Sequence, residues 1–188
     1  MCIRDRLKNK KGLSTVVTTL IILVVSVLLA TVVTYYAINV TSTRVVEESI
    51  DIRRAHVWYN STYGAQAAFI IINTGGRDVV IDKITVRGQE CTWSTQVFYY
   101  SISSDVSGDP QFNSSSTLSD GGQVTVGSDQ YTLSAASDDL TLKSGYTMIV
   151  YIDDPDSISV NDVGTTVSIV VYTAQAQYYE ECNVEAAS

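Results

Sequence analysis

The chain has 188 residues, 45% of them hydrophobic and 17% charged, with a formal net charge of −8. That acidity speaks against nucleic-acid binding, which needs clustered Lys and Arg to neutralise phosphates. The chain has one histidine, no C-x-x-C pair, no Walker loop, no G-x-G-x-x-G and no G-x-S-x-G, so neither an enzyme nor a metal or other cofactor is expected.

In chain order, the first feature is a basic segment. Arg4, Arg6, Lys8, Lys10 and Lys11 stand against one acid, Asp5, and are followed by Gly12. Residues 13–38 then carry no charge and are rich in Val, Leu, Ile, Thr and Ala. An uncharged run of that length reads as a transmembrane helix, because about 20 residues rising ~1.5 Å each cross a ~30 Å hydrocarbon core. With no water there, the backbone must satisfy its own hydrogen bonds as a helix. The bases keep the N-terminal end in the cytoplasm and send the C-terminal bulk outside. A secretory signal has a shorter apolar core followed by a small-residue cleavage site. Here the small residue, Gly12, precedes the apolar run.

The order Lys10-Lys11-Gly12, then Leu13-Ser14-Thr15-Val16-Val17 and the apolar run, resembles the class III signal of archaeal type IV pilins and archaellins. The resemblance implies cleavage between Gly12 and Leu13 by a prepilin peptidase and a mature chain of residues 13–188. It also implies a helix that sits in the membrane before assembly and then forms the core of a helical homopolymer, raised by pilus assembly machinery at the cell surface. Two departures matter. Bacterial type IV pilins carry a glutamate at the fifth mature position, where this chain has Val17. Archaellin helices begin with a Gly-Ile-Gly-Thr-Leu-like run, which is absent here and favours a pilin over an archaellin of a motility filament. Residues 1–6 resemble a translated sequencing-adaptor end, and the native start is expected elsewhere. Beyond residue 12 the net charge is near −12, suited to a solvated extracellular surface.

With no proline or glycine in residues 13–54, the helix is expected to run to residue 54, with Tyr35 and Tyr36 at the aromatic belt. Its outer part turns polar at Arg44, Glu47, Glu48, Asp51, Arg53 and Arg54, and Arg44 with Glu47 or Glu48 is the opposite-sign pair that helical spacing allows. Thr15, Thr19, Ser26, Ala30, Ala37 and Thr41 recur at intervals of four and seven, which return to one helix face. Small residues on one face let helix backbones approach closely in an apolar medium.

From residue 55 the pattern becomes short and β-branched. Strands are predicted at 67–72, 79–86, 148–152 and 167–172, and weaker ones at 56–60, 96–102, 124–126, 131–133 and 174–179. Turn signals separate them at Asn73-Thr74-Gly75-Gly76, Arg87-Gly88, Ser144-Gly145 and Val163-Gly164. Many short strands with such turns predict a β-sandwich of immunoglobulin-like type. Residues 101–122, rich in Ser, Asp and Gly, read as a long exposed loop.

Cys91 and Cys182 remain as an even pair once Cys2 is set aside with the leader, and in an exported domain they are expected to form a disulfide. N-x-[ST] sequons at Asn60 and Asn113 are glycosylation candidates, as is Asn39 at the membrane end of the helix. The acids of Asp153-Asp154-Pro155-Asp156, with Asp162, and of Asp138-Asp139 lack the order and closing glutamate of a calcium loop and read as solvated turns. His56 is expected beside Trp58 and Tyr59 at the start of the sandwich.

The expected architecture is therefore α+β: a leader at 1–12, a transmembrane and filament-core helix at 13–54, and a β-sandwich at 55–188. The expected function is that of a pilin displaying the sandwich for adhesion or surface contact. The alternatives are an archaellin and a solitary membrane-anchored extracellular binding module.

Overall fold

The computed structural model describes residues 3–45, 47–114 and 118–187, and within the helix it describes the side chains of Ser14–Thr41. Two compact units divide the chain, Met1–Val45 and Val46–Ser188. The first is a single helix, α1 (Ile3–Val45). The second is a β domain.

The helix closes nine residues earlier than its lack of Pro and Gly predicts. Strand β1 (Ile50–Asn60) begins instead, with Ile50 and Ile52 buried and Asp51 and Arg53 toward solvent. That alternation has the period of a strand, and burial of the two isoleucines in the core outweighs a weak local helix preference. Asp51 and Arg53, two apart on one strand face, form an ion pair at 2.6 Å. Glu48 accepts a hydrogen bond from the Thr173 hydroxyl, so it serves the β domain and not a helical stem. The expected Arg44 partnership lies outside the described side chains.

The remaining elements are β2 (Gly64–Asn73), β3 (Val79–Val86), β4 (Gln89–Glu90), the short helix α2 (Trp93–Gln96), β5 (Val97–Ile102), β6 (Gln123–Val126), β7 (Asp129–Thr132), β8 (Ser134–Ala135), β9 (Leu140–Leu142), β10 (Thr147–Asp153), β11 (Thr166–Thr173) and β12 (Gln177–Ala186). One curled sheet runs in the order β4-β3-β11-β12-β1-β2-β10-β5-β8, with β9 also paired to β3. Its pairs are antiparallel except β1 with β12, which run parallel and pair only Val57–Tyr59 with Val184–Ala186. A bulge between Arg53 and His56, with Arg54 at φ 53°, re-aims β1 just before that junction. The sheet thereby closes two layers over one core: Phe69, Ile71, Met148 and Val150 meet Ile81, Ile84, Ile169 and Val171. The α+β class and the β domain following the helix stand as expected.

Strands β2 and β10 are apolar on both faces, and the reason is a second core. Ala68, Ile70, Ile149 and Tyr151 alternate with the residues above and point to the opposite face. There they meet Val106, Leu118, Val124, Val126 and Leu133. Part of the segment read as an exposed loop, residues 101–122, is thus a cover: Val106, Pro110 and Leu118 are buried. Tyr151 pins it, its hydroxyl lying 3.0 Å from the Gln111 carbonyl and accepting from the Gln111 N–H at 3.2 Å. Burial raises the Tyr151 phenol above its ordinary pKa, so it stays a neutral donor.

The expected Cys91–Cys182 disulfide does not form, and both are free thiols. Cys91 follows β4 and donates its N–H to Ile84 of β3 at 3.0 Å, whereas Cys182 pairs with Val167 across β12 and β11. Strands β3 and β11 stand between them. Three strand spacings of ~4.8 Å make about 14 Å along the sheet, beyond the roughly 7 Å that a disulfide can bridge between Cα atoms. Even pairing by count carries no information about which strands lie between two cysteines.

The Asn73-Thr74-Gly75-Gly76 turn is a knot of backbone contacts. Asn73 is buried and donates to the carbonyls of Arg77 (2.8 Å) and Leu142 (3.0 Å), and its own carbonyl accepts from the Gly75 N–H at 3.0 Å. A Cβ on Gly75 would fall 2.7 Å from the Glu47 carbonyl and the Ser49 nitrogen, so only glycine fits.

Candidate assembly surface

In α1 the span Ser14–Thr41 is 28 residues long and none of it is buried. At ~1.5 Å per residue it extends about 42 Å, more than the ~30 Å of a hydrocarbon core. Large aliphatic side chains point outward all round it, among them Leu20, Ile22, Leu23, Leu28, Val32 and Val33. A helix apolar on every side belongs in a membrane or in the core of a larger assembly.

The polar atoms within the span are made compatible with such a place. The hydroxyl of Ser26 donates to the Ile22 carbonyl at 2.7 Å, Thr18 to Ser14 at 2.9 Å, Thr19 to Val16 at 2.9 Å, Thr31 to Val27 at 2.8 Å and Thr34 to Ala30 at 2.8 Å. Each is satisfied inside the helix, so burying it in lipid or against another helix leaves no orphaned donor.

At about 100° per residue, Thr15, Thr19, Ser26, Ala30, Ala37 and Thr41 fall within an arc of about 80°. All six are exposed. A concavity on the helix lies beside that arc and shares Ala30 with it. It has a volume of ≈ 490 Å³ and is lined by Val27, Ala30, Thr31, Thr34, Tyr35 and Ile38. Intervals of four and seven select Ala30 but pass over Thr31 and Thr34. The groove depends on these short side chains sitting between the longer Val27, Tyr35 and Ile38, a contrast of sizes that spacing alone does not express.

The other sequence-derived candidates fall in diverse surroundings. Gly12 and Leu13 lie within the helical backbone of α1, and their side chains are outside the described set. Asn39 is exposed near the C-terminal end of the Ser14–Thr41 span. Asn60 holds a turn: its carbonyl accepts from the Thr62 N–H at 2.7 Å and its amide nitrogen donates to the Ala187 carbonyl at 3.0 Å, so the atom a glycan would use is engaged. Asn113 is half-buried, its main chain bonded both ways to Gln66. His56 stacks on Trp58 with ring centroids 5.3 Å apart, as expected.

The acidic turns have structural occupations. Asp162 accepts from the Ser159 N–H (2.8 Å) and hydroxyl (2.6 Å) and from Arg87 (2.5 Å), contacts that hold its carboxyl below the usual range. Asp138 accepts from the Asp139 N–H at 2.9 Å. Among the described residues no three His, Cys, Asp or Glu side chains converge as a metal site would require.

No protein-family model matches the chain, and no curated protein matches it in sequence.

Proposed function

We propose that the chain is a pilin-like subunit of an extracellular, archaeal-type filament, polymerising through α1 and displaying the β domain outward. The observation that carries this reading is the Ser14–Thr41 span, apolar on all sides, wholly exposed and with five of its hydroxyls bonded inside the helix, joined to a domain that buries two cores of its own. The Lys10-Lys11-Gly12 boundary supports it by supplying the resemblance to a class III signal.

The physics of assembly follows from the solvent. Lipid tails are as apolar as Leu, so bringing two such helices together gains little from the hydrophobic effect. Dispersion from close packing must drive association instead, and short side chains at Ser26, Ala30, Thr31 and Thr34 allow backbones to approach. The occupant of this face in a filament is the helix of a neighbouring copy. Leader removal frees the mature helix from its basic flank, whose bases hold it in the bilayer.

The test is the N-terminus of surface protein together with electron microscopy of sheared cell-surface material. The reading requires mature chains beginning at Leu13 within filaments. Surface chains that retain Lys10 and Lys11, with no filaments, would instead establish a membrane-anchored module.

A further inference from the structure

We infer that the β domain carries a binding cleft for a neutral saccharide on the outer face of the β6–β7 hairpin. The cleft measures ≈ 540 Å³ and is lined by Gln111, Phe112, Asn113, Ser114, Ser119, Gly122, Gln123, Val124, Thr125 and Gln130. That volume lies within the ~300–1,000 Å³ of small-ligand sites.

The hairpin builds its floor by strand alternation. Val124 and Val126 turn into the second core, which leaves Gln123 and Thr125 on the other face of β6. Thr125 pairs across the hairpin with Gln130. The wall is the segment following Pro110, which runs beside β6 through the Gln111 N–H to Thr125 carbonyl bond at 3.1 Å and the Pro110–Val126 bridge. Tyr151 clamps that wall from beneath. The cleft therefore has a fixed floor and a fixed side.

Its chemistry selects a ligand class. The domain is strongly acidic, yet none of these ten lining residues is charged. The neighbouring Asp120 is not among the lining residues and accepts the Ala135 N–H at 3.0 Å. A metal ion, a phosphate or a charged sugar would find no counter-charge. An apolar ligand would strand the amides and hydroxyls unpaired. Side-chain amides offer both donors and acceptors, as do sugar hydroxyls. Gln123 and Gln130 have no side-chain partner among the described residues, so both are available to a ligand. Phe112 adds an aromatic surface for the C–H face of a sugar ring, braced by Trp58 at 6.2 Å and Tyr63 at 6.4 Å between ring centroids. Uncharged amides, short hydroxyls and one aromatic ring are complementary to a polyhydroxylated, uncharged molecule.

This assignment deepens the reading of the β domain as a displayed contact surface, and its test is independent of filament assembly. Full-length chain made in a host that adds no N-glycans, held in a detergent without a sugar headgroup, is titrated with glucose, galactose, mannose, N-acetylglucosamine and lactose and followed by saturation-transfer NMR. At least one of these sugars should bind, and Gln123→Ala with Gln130→Ala should weaken it by about tenfold or more. Gln130→Glu, which places a charge in the cleft, should do the same and serves as a second variant should the double change unfold the hairpin. No transfer to any sugar, equal binding by the variants, or preferential binding of sialic acid or of a neutral peptide would overturn the inference. Ser26→Leu with Ala30→Leu should leave sugar binding intact, and the glutamine variants should still form filaments. Failure of one reading is thus distinguishable from failure of the other.

Discussion

Cys91, just after β4, lies in the hydrophobic cluster that Cys182 of β12 borders, and β3 and β11 stand between them. Burial pushes the Cys91 thiol up to about 12 and the Cys182 thiol to about 11, with the acids Asp156 and Glu90 adding to the first and Glu180 and Glu185 to the second. A thiol reacts as its thiolate, so both are inert at neutral pH. Native protein should resist iodoacetamide at both positions. Unfolded without any reductant, it should take up two alkyl groups at these residues, read by intact mass. A denatured chain that accepts none there would show that the sulfurs are paired.

Asn73 ties the end of β2 to β9. Asn73→Ala would leave the Leu142 and Arg77 carbonyls without the Asn73 donor, while the Gly75 N–H keeps its bond to the Ser49 carbonyl. Unmade bonds at a buried site cost about 1–3 kcal/mol each when water cannot replace them. A loss of about 3 kcal/mol is expected in urea unfolding, with Asn73→Asp recovering only the Gly75 contact. A change under about 0.5 kcal/mol, the range of ordinary surface substitutions, would show that the turn is held by its main chain alone.

Asp153 sets a pH dependence. Burial raises its carboxyl pKa, Asp154 adds to the rise, and the Leu118 N–H opposes it. Its Oδ1 has no partner among the described residues. With the folded pKa above the unfolded one, the folded chain binds more protons in the window between them, so this group's contribution to stability falls as pH rises through that window. Asp153→Asn cannot ionise. It should be more stable than the parent at neutral pH and should lose that advantage as pH falls toward 3.8, the ordinary value for the group. Parallel stability profiles of the two proteins would contradict this.

The helix prediction concerns size, since hydropathy is kept. Ser26→Leu with Ala30→Leu fills the small-residue face while preserving an apolar span. The Ser26 hydroxyl bonds only the Ile22 carbonyl, so its loss orphans nothing outside the helix. Membrane levels and processing at Gly12 should be normal, with about tenfold fewer filaments or none, equivalent to about 1.4 kcal/mol or more in assembly. Leu23→Ile with Leu28→Ile keeps side-chain volume and should assemble. Undiminished filament counts from the double-Leu variant would make the small face incidental.

What could be read from the residues alone was whatever has a local period or a fixed length. The apolar span of α1 needs no partner to be recognised, because its length is judged against the fixed ~30 Å of a hydrocarbon core. Strands β3, β10 and β11 were visible as β-branched runs between turn signals. On the candidate assembly surface, spacing exposed Ser26 and Ala30 but not the groove completed by Thr31 and Thr34. Tertiary structure decided the rest. The helix yields to β1 because Ile50 and Ile52 find a core that sequence neighbours do not reveal. Val106 and Leu118, isolated among serines and aspartates, became a cover because β2 and β10 present a second apolar face. The parallel β1–β12 pair joins residues more than a hundred positions apart, and the β3–β11 and β11–β12 pairs place two strands between the cysteines. Such choices rest on burial against distant partners, an energy that no local window contains.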